Sequence, residues 1–65
     1  MPLVRIDLWP TCSREQKAAL ITNVTKAVVD AVGCPVQAVE ILLNTVDQAD
    51  WAQGGVAHAD RPPVT

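Results

Sequence analysis

The sequence predicts an α+β chain: a βαβ unit with parallel strands, one long helix and a short C-terminal hairpin, assembled as an oligomer. Three observations predict it. Residues 3–9 alternate in polarity. Residues 14–32 carry apolar side chains at helical spacing behind a capping box, and a second alternating run follows at 39–44. A strand, a long helix and a second strand make the two strands parallel, with a right-handed connection.

In the first run, Val4, Ile6 and Leu8 point one way, and Leu3, Arg5, Asp7 and Trp9 the other. Pro10 ends the strand, and Thr11 and Cys12 form a short connection. Ser13-Arg14-Glu15-Gln16 fits a capping box: the Ser13 hydroxyl accepts from the Gln16 N–H while the Gln16 side chain reaches back. The helix then runs from about Arg14 to Val32. Leu20, Val24, Ala27, Val28, Ala31 and Val32 form its apolar stripe, which Ile21 widens. Gly33 suits a left-handed exit, and Pro35 stops the helix. In the second strand, Val39 to Asn44, the residues Val39, Ile41 and Leu43 face the helix, while Glu40, Leu42 and Asn44 face away. The helix covers one face of this small sheet. The other, with Leu3, Trp9 and Leu42, needs a second subunit. Asp47 to Asp50 reads as a turn, and Gly54-Gly55 marks a tight turn or hairpin. Residues 1–56 form the domain. From Ala57 the chain is polar and Pro-rich, so residues 57–65, with His58 and Asp60, read as a tail or an arm lying on another chain.

Composition narrows the function. A chain of 65 residues is one domain at most and marginal alone. With 49% hydrophobic residues it hides apolar surface against copies of itself or a relative. The net charge of −2, without a basic block, argues against a nucleic-acid surface. No apolar run approaches the ~20 residues of a membrane span. No signal peptide is recognisable, so the expected location is cytoplasmic and a Cys12–Cys34 bridge is not expected. The one histidine, His58, stands apart from any cluster with metal-ligand spacing.

Pro2 is the candidate reactive residue. Initiator Met is normally trimmed ahead of a small residue, and trimming here would leave the Pro2 ring nitrogen as a free secondary amine. Such an amine acts as base or nucleophile. Its reference pKa of roughly 8 is lowered by desolvation and raised by a nearby carboxylate.

Taken together, Met1-Pro2, the alternating strand, Glu15-Gln16-Lys17 opening the helix, Pro35 before the second strand and Trp51 ahead of Gly54-Gly55 resemble the 4-oxalocrotonate tautomerase family of the tautomerase superfamily. The likeness covers residues 2 to about 56. It implies a βαβ chain with a C-terminal hairpin in a hexamer, a trimer of dimers, and an isomerase without cofactor or metal. It implies Pro2 as the base, moving a proton within a small keto–enol or conjugated carbonyl substrate, and Trp51 as the pocket aromatic. The family's two arginines, often supplied by neighbouring subunits, fall on Cys12 and Glu40. Trp9 stands where the pocket usually has an aliphatic residue.

These departures argue against the usual dicarboxylate. Glu40 for arginine changes the pocket by about two charge units and would stabilise a protonated Pro2. Arg5 and Arg14 are the candidate compensating cations; for Arg5 the competing reading is an ion pair with Asp7 or Glu40 of another strand. Cys12 reads either as a reactive thiol near the helix N-terminus or as a small residue at a subunit contact. Two functions follow: a tautomerase-type isomerase weak on the usual substrate, or a non-catalytic partner subunit of a hetero-oligomeric tautomerase.

Overall fold

The computed structural model of the chain describes residues 2–61. Met1, on whose removal the chemistry of Pro2 turns, and residues 62–65, the end of the expected arm, lie outside the described residues.

Strand β1 (Leu3–Leu8), helix α1 (Arg14–Val32) and strand β2 (Glu40–Thr45) form the βαβ unit. The strands are parallel, with Leu3 opposite Glu40, Arg5 opposite Leu42 and Leu8 opposite Thr45. The ladder extends one step at each end. The Glu40 N–H donates to the Pro2 carbonyl at 2.9 Å, and the Val46 N–H to the Leu8 carbonyl at 2.7 Å. Antiparallel strands β3 (Ala52–Gln53) and β4 (Val56–Ala57) make the hairpin. Its two-residue loop has φ of +63° at Gly54 and +83° at Gly55, the mirror-image turn that only glycine adopts cheaply.

Local chemistry sets the helix ends. The Ser13 hydroxyl accepts from Gln16 N–H at 3.1 Å, and the Gln16 side chain accepts from Ser13 N–H at 2.8 Å. At the exit, Gly33 takes φ +77° while its N–H still reaches the Val29 carbonyl. Lys17, Leu20, Val24 and Val28 are half-buried, as are Val4, Ile6, Leu8, Ile41 and Leu43 across from them. Ile21 does not widen this stripe. One step round the helix, it lines an open apolar groove of about 460 Å³ with Thr22, Thr25, Lys26, Val29 and Val36. Ala27, Ala31 and Val32 also stay exposed.

Expected boundaries move: β1 stops at Leu8 and leaves Trp9 outside the strand, and β2 runs on to Thr45 rather than ending at Asn44. The second strand begins at Glu40, not Val39, because Pro35 opens a single 3₁₀ turn, Val36–Ala38. The Val39 N–H closes that turn on the Val36 carbonyl, so it is not free to enter the ladder. Regular structure also continues past Val56, where an arm was expected. Ala57 pairs with Ala52, and His58–Asp60 form a 3₁₀ turn. The reason is one long-range bond: the His58 N–H donates to the Trp51 carbonyl at 2.8 Å.

None of the described residues is fully buried in the single chain. Its accessible surface is 5030 Å², where a compact protein of this mass would expose about 4000 Å². The radius of gyration is 15.1 Å, against about 11 Å for a compact chain of this length. The hairpin packs chiefly on its own flanking turns. The sheet face away from α1 is uncovered, leaving Leu3 49% and Leu42 46% exposed. The chain is therefore incomplete in energetic terms: its apolar residues are sorted onto faces, but the sheet face away from α1 lacks its cover. Among the described residues no helix is long and apolar enough to cross a membrane.

Candidate functional site

Parallel strands with a helical return give the molecule two distinct ends. Pro2 and Glu40 lie together where both strands begin. Their adjacency is fixed by the backbone bond between them and by the register that sets Glu40 beside Leu3. Pro2 is half-buried and Glu40 exposed. The backbones of Pro2 and Glu40 are therefore neighbours at this end of the sheet.

Trp9, Cys12, Arg14 and Trp51 lie at the opposite end. Trp9 follows the last residue of β1, and Arg14 opens the returning helix. The Lys17 ammonium ties that helix end to the Thr45 hydroxyl at 3.2 Å. Trp51 is set by the turn before it. The Asp47 carboxylate accepts from Ala49 N–H at 3.2 Å, and Trp51 N–H reaches the Gln48 carbonyl at 3.4 Å. The two indoles meet edge to face, with ring centroids 6.0 Å apart and planes at 80°. This is a favoured aromatic geometry.

His58 belongs to the same cluster, and the sequence reading missed it. Its ring lies 4.9 Å from that of Trp9, tilted by 60°. It was assigned to a tail because nothing local marks it; only the bond to Trp51 across the hairpin brings it in. The cluster also contains the buried N–H of the Trp9 indole, which has no acceptor among the described residues. Arg61 lies next door, its guanidinium donating to the Gln53 carbonyl and so bracing the hairpin.

The predicted residues are thus not all brought together. The six residues of β1 separate Pro2 from Trp9, seven steps and about 23 Å at the usual rise. One small substrate cannot touch both in the same chain. Arg5 stands mid-strand opposite Leu42 on the uncovered face, exposed. The ion pair read as its alternative is not formed within the chain; Lys26–Asp30, at 2.9 Å, is the one present among the described residues. Arg14 is exposed on the first helical turn. Cys12 and Cys34 are free and half-buried, at opposite ends of the helix. Among the described residues no three His, Cys, Asp or Glu side chains are grouped to hold a metal. The apolar groove on α1 holds none of the predicted site residues.

Comparison with known proteins sets this geometry in context. A family model described as tautomerase enzyme matches residues 2–61. A probable tautomerase of Ralstonia nicotianae is 37% identical over 65 residues, covering 97% of this chain and 93% of the relative. The 2-hydroxymuconate tautomerase of Comamonas testosteroni is 39% identical over 57 residues, 88% of this chain and 90% of that protein. Among solved structures, a heterohexamer 4-oxalocrotonate tautomerase from Chloroflexus aurantiacus superposes with a TM-score of 0.87 at 32% identity, covering 92% of this chain and 97% of the other.

Proposed function

The chain belongs to the tautomerase family, and on that premise we propose that it is an isomerase whose N-terminal proline, freed by loss of Met1, moves a proton within a keto–enol or conjugated carbonyl substrate. The observation that carries this reading is the setting of Pro2. Its carbonyl is clamped by Glu40 N–H at 2.9 Å, and β1 begins at the next residue. A terminal amine on such a residue would be held in place by the sheet rather than by a loose tail. Its ring also leaves the nitrogen few rotations to lose on binding.

The chemistry uses few groups. For an enol substrate, the prolinium N–H delivers its proton to carbon while the enol hydroxyl proton leaves to water; the amine then regains a proton from solvent. Glu40 favours the prolinium form, so the direction from enol to ketone suits this site better than abstraction from carbon. The same carboxylate disfavours a dianionic substrate near Pro2. The aromatic cluster around Trp51 supplies an apolar wall. Since wall and base lie about 23 Å apart in one chain, a working site would combine Pro2 of one subunit with Trp9 and Trp51 of another. The uncovered sheet face and the absence of any fully buried described residue support such an assembly.

The heterohexamer of Chloroflexus aurantiacus favours a second reading. A chain with Cys12 and Glu40 in place of both arginines would serve as the partner subunit of an active relative. The experiment is intact mass, then enol-to-ketone turnover of phenylenolpyruvate by the purified chain, with Pro2→Ala as control. A mass lacking Met1 with turnover lost in Pro2→Ala is expected. A mass lacking Met1 with turnover equal to that of Pro2→Ala would overturn the enzymatic reading and leave the partner subunit.

A further inference from the structure

We propose that His58 binds the substrate carboxylate, and that the substrate is an aromatic 2-enol acid whose ring rests on the Trp9–Trp51 wall. The inference rests on the isomerase reading above and deepens it.

Donors are scarce around the indole wall. The positions where the resemblance expects cations hold Cys12 and Glu40. Arg14 opens the helix at the same end as Trp9, exposed, and Arg61 gives one guanidinium nitrogen to the hairpin. The Trp9 indole N–H is buried inside the cluster, out of a ligand's reach. The imidazole of His58 is the donor that packs on the indole wall itself. It is half-buried, packed on Trp9 at 4.9 Å, and its ring nitrogens make no hydrogen bond among the described residues. An imidazole offers at least one N–H donor in either protonation state. Its backbone is pinned to Trp51 at 2.8 Å, so ring and wall move as one unit.

The occupant follows from that pairing. Two indoles at 80° offer one ring face and one ring edge, a surface that rewards a flat aromatic group over an aliphatic chain. A single donor on that wall addresses one carboxylate, not two. An aryl ring and a carboxylate joined by a short conjugated linker meet both requirements.

Calorimetric titration of the full chain with trans-cinnamate and with neutral cinnamamide tests this without needing turnover. His58→Phe keeps a ring against Trp9 and removes the donor. His58→Gln keeps a donor and removes the ring. The wild type should bind cinnamate more tightly than cinnamamide. His58→Phe should weaken cinnamate by about tenfold to a hundredfold, the worth of a hydrogen bond to a charged group, and leave cinnamamide within a factor of about two. His58→Gln should retain part of the preference for cinnamate. Equal weakening of both ligands would assign His58 a packing role and overturn the inference, as would unchanged cinnamate binding in His58→Phe or no cinnamate binding by the wild type. Binding is read here without turnover, whereas the isomerase reading is tested by turnover. Turnover and the carboxylate site can therefore fail separately.

Discussion

Replacing Glu40 should move the pH dependence of catalysis in a direction that only its nearness to Pro2 explains. Neighbouring strands lie about 4.8 Å apart. Glu40 is bonded through its N–H to Pro2 and paired with Leu3, and about 7 Å is taken as the working distance from its carboxylate to the Pro2 nitrogen on that strand spacing. Two unit charges at about 7 Å, with an effective dielectric of about 40 between surface and bulk values, interact by about 1.2 kcal/mol. That is nearly a factor of ten in the protonation equilibrium. The sign is fixed: the carboxylate stabilises prolinium, so Glu40→Gln makes the amine release its proton at lower pH. The assay is kcat/KM for phenylenolpyruvate against pH, each profile scaled to its own maximum so that changed affinity for an anion drops out. Because the prolinium N–H is the proton donor to carbon, the rate should fall on the basic side where prolinium is lost, and Glu40→Gln should lower the prolinium fraction on that side about tenfold. Glu40→Arg should change it about a hundredfold, since the charge reverses rather than vanishes. Added salt should shrink both effects. Superimposable scaled profiles for wild type, Glu40→Gln and Glu40→Arg would refute the reasoning, because the charge at position 40 would then not reach the amine.

Other outcomes follow from the same structure. Leu42→Asp should dissociate the assembly: covering the exposed halves of Leu3 and Leu42 contributes about 1 kcal/mol each, and burying a carboxylate there costs several more. Sedimentation velocity should show smaller species for Leu42→Asp and an unchanged one for Leu42→Met; identical profiles for all three would exclude this face as a contact. Ser13→Ala removes the hydroxyl that accepts from the Gln16 N–H and leaves the backbone N–H bond to the Gln16 side chain; it should cost about 1 kcal/mol in denaturant unfolding at fixed protein concentration. Gly54→Ala meets no atom within 4 Å, so its cost is the left-handed backbone alone, about 1–2 kcal/mol. The tryptophan exciton signal in far-ultraviolet circular dichroism should weaken as the hairpin loosens, and a signal equal to wild type would show that the turn does not hold Trp51.

What could be read in advance, and what could not, divides by the range of the interaction responsible. The helix runs from Arg14 to Val32 as expected because Ser13, Gln16 and Gly33 settle both ends within a few residues of each. The alternation of β1 survives intact, since a period of two admits one assignment of faces. Ile21 was misassigned because a stripe i, i+4, i+7 fits two adjacent faces almost equally. Only the sheet's position decides that Leu20, Val24 and Val28 face it. The start of β2 was missed by one residue because the turn after Pro35 competes for the Val39 N–H. His58 was missed for the same kind of reason on a larger scale: its place depends on Trp51 across the hairpin and on Trp9 from the far end of the first strand.

The candidate site shows where such reading stops in principle. Parallel strands joined by a helix must put Pro2 and Trp9 at opposite ends, a consequence available from topology alone. Which subunit supplies the wall for a given Pro2 is not. That choice depends on how the uncovered sheet face, the groove on α1 and the projecting hairpin find their partners. The face carries Arg5 among Leu3, Asp7, Glu40, Leu42 and Asn44, so a second copy could set Arg5 against Asp7 or Glu40 across the contact. A cation spent on that contact is lost to the substrate. This is a physical reason to look to the hairpin end, where His58 sits, for the group that meets the carboxylate. Arg5→Gln separates the two roles: it should weaken assembly in sedimentation while leaving cinnamate affinity per assembled site unchanged, and the reverse pattern would return Arg5 to the pocket.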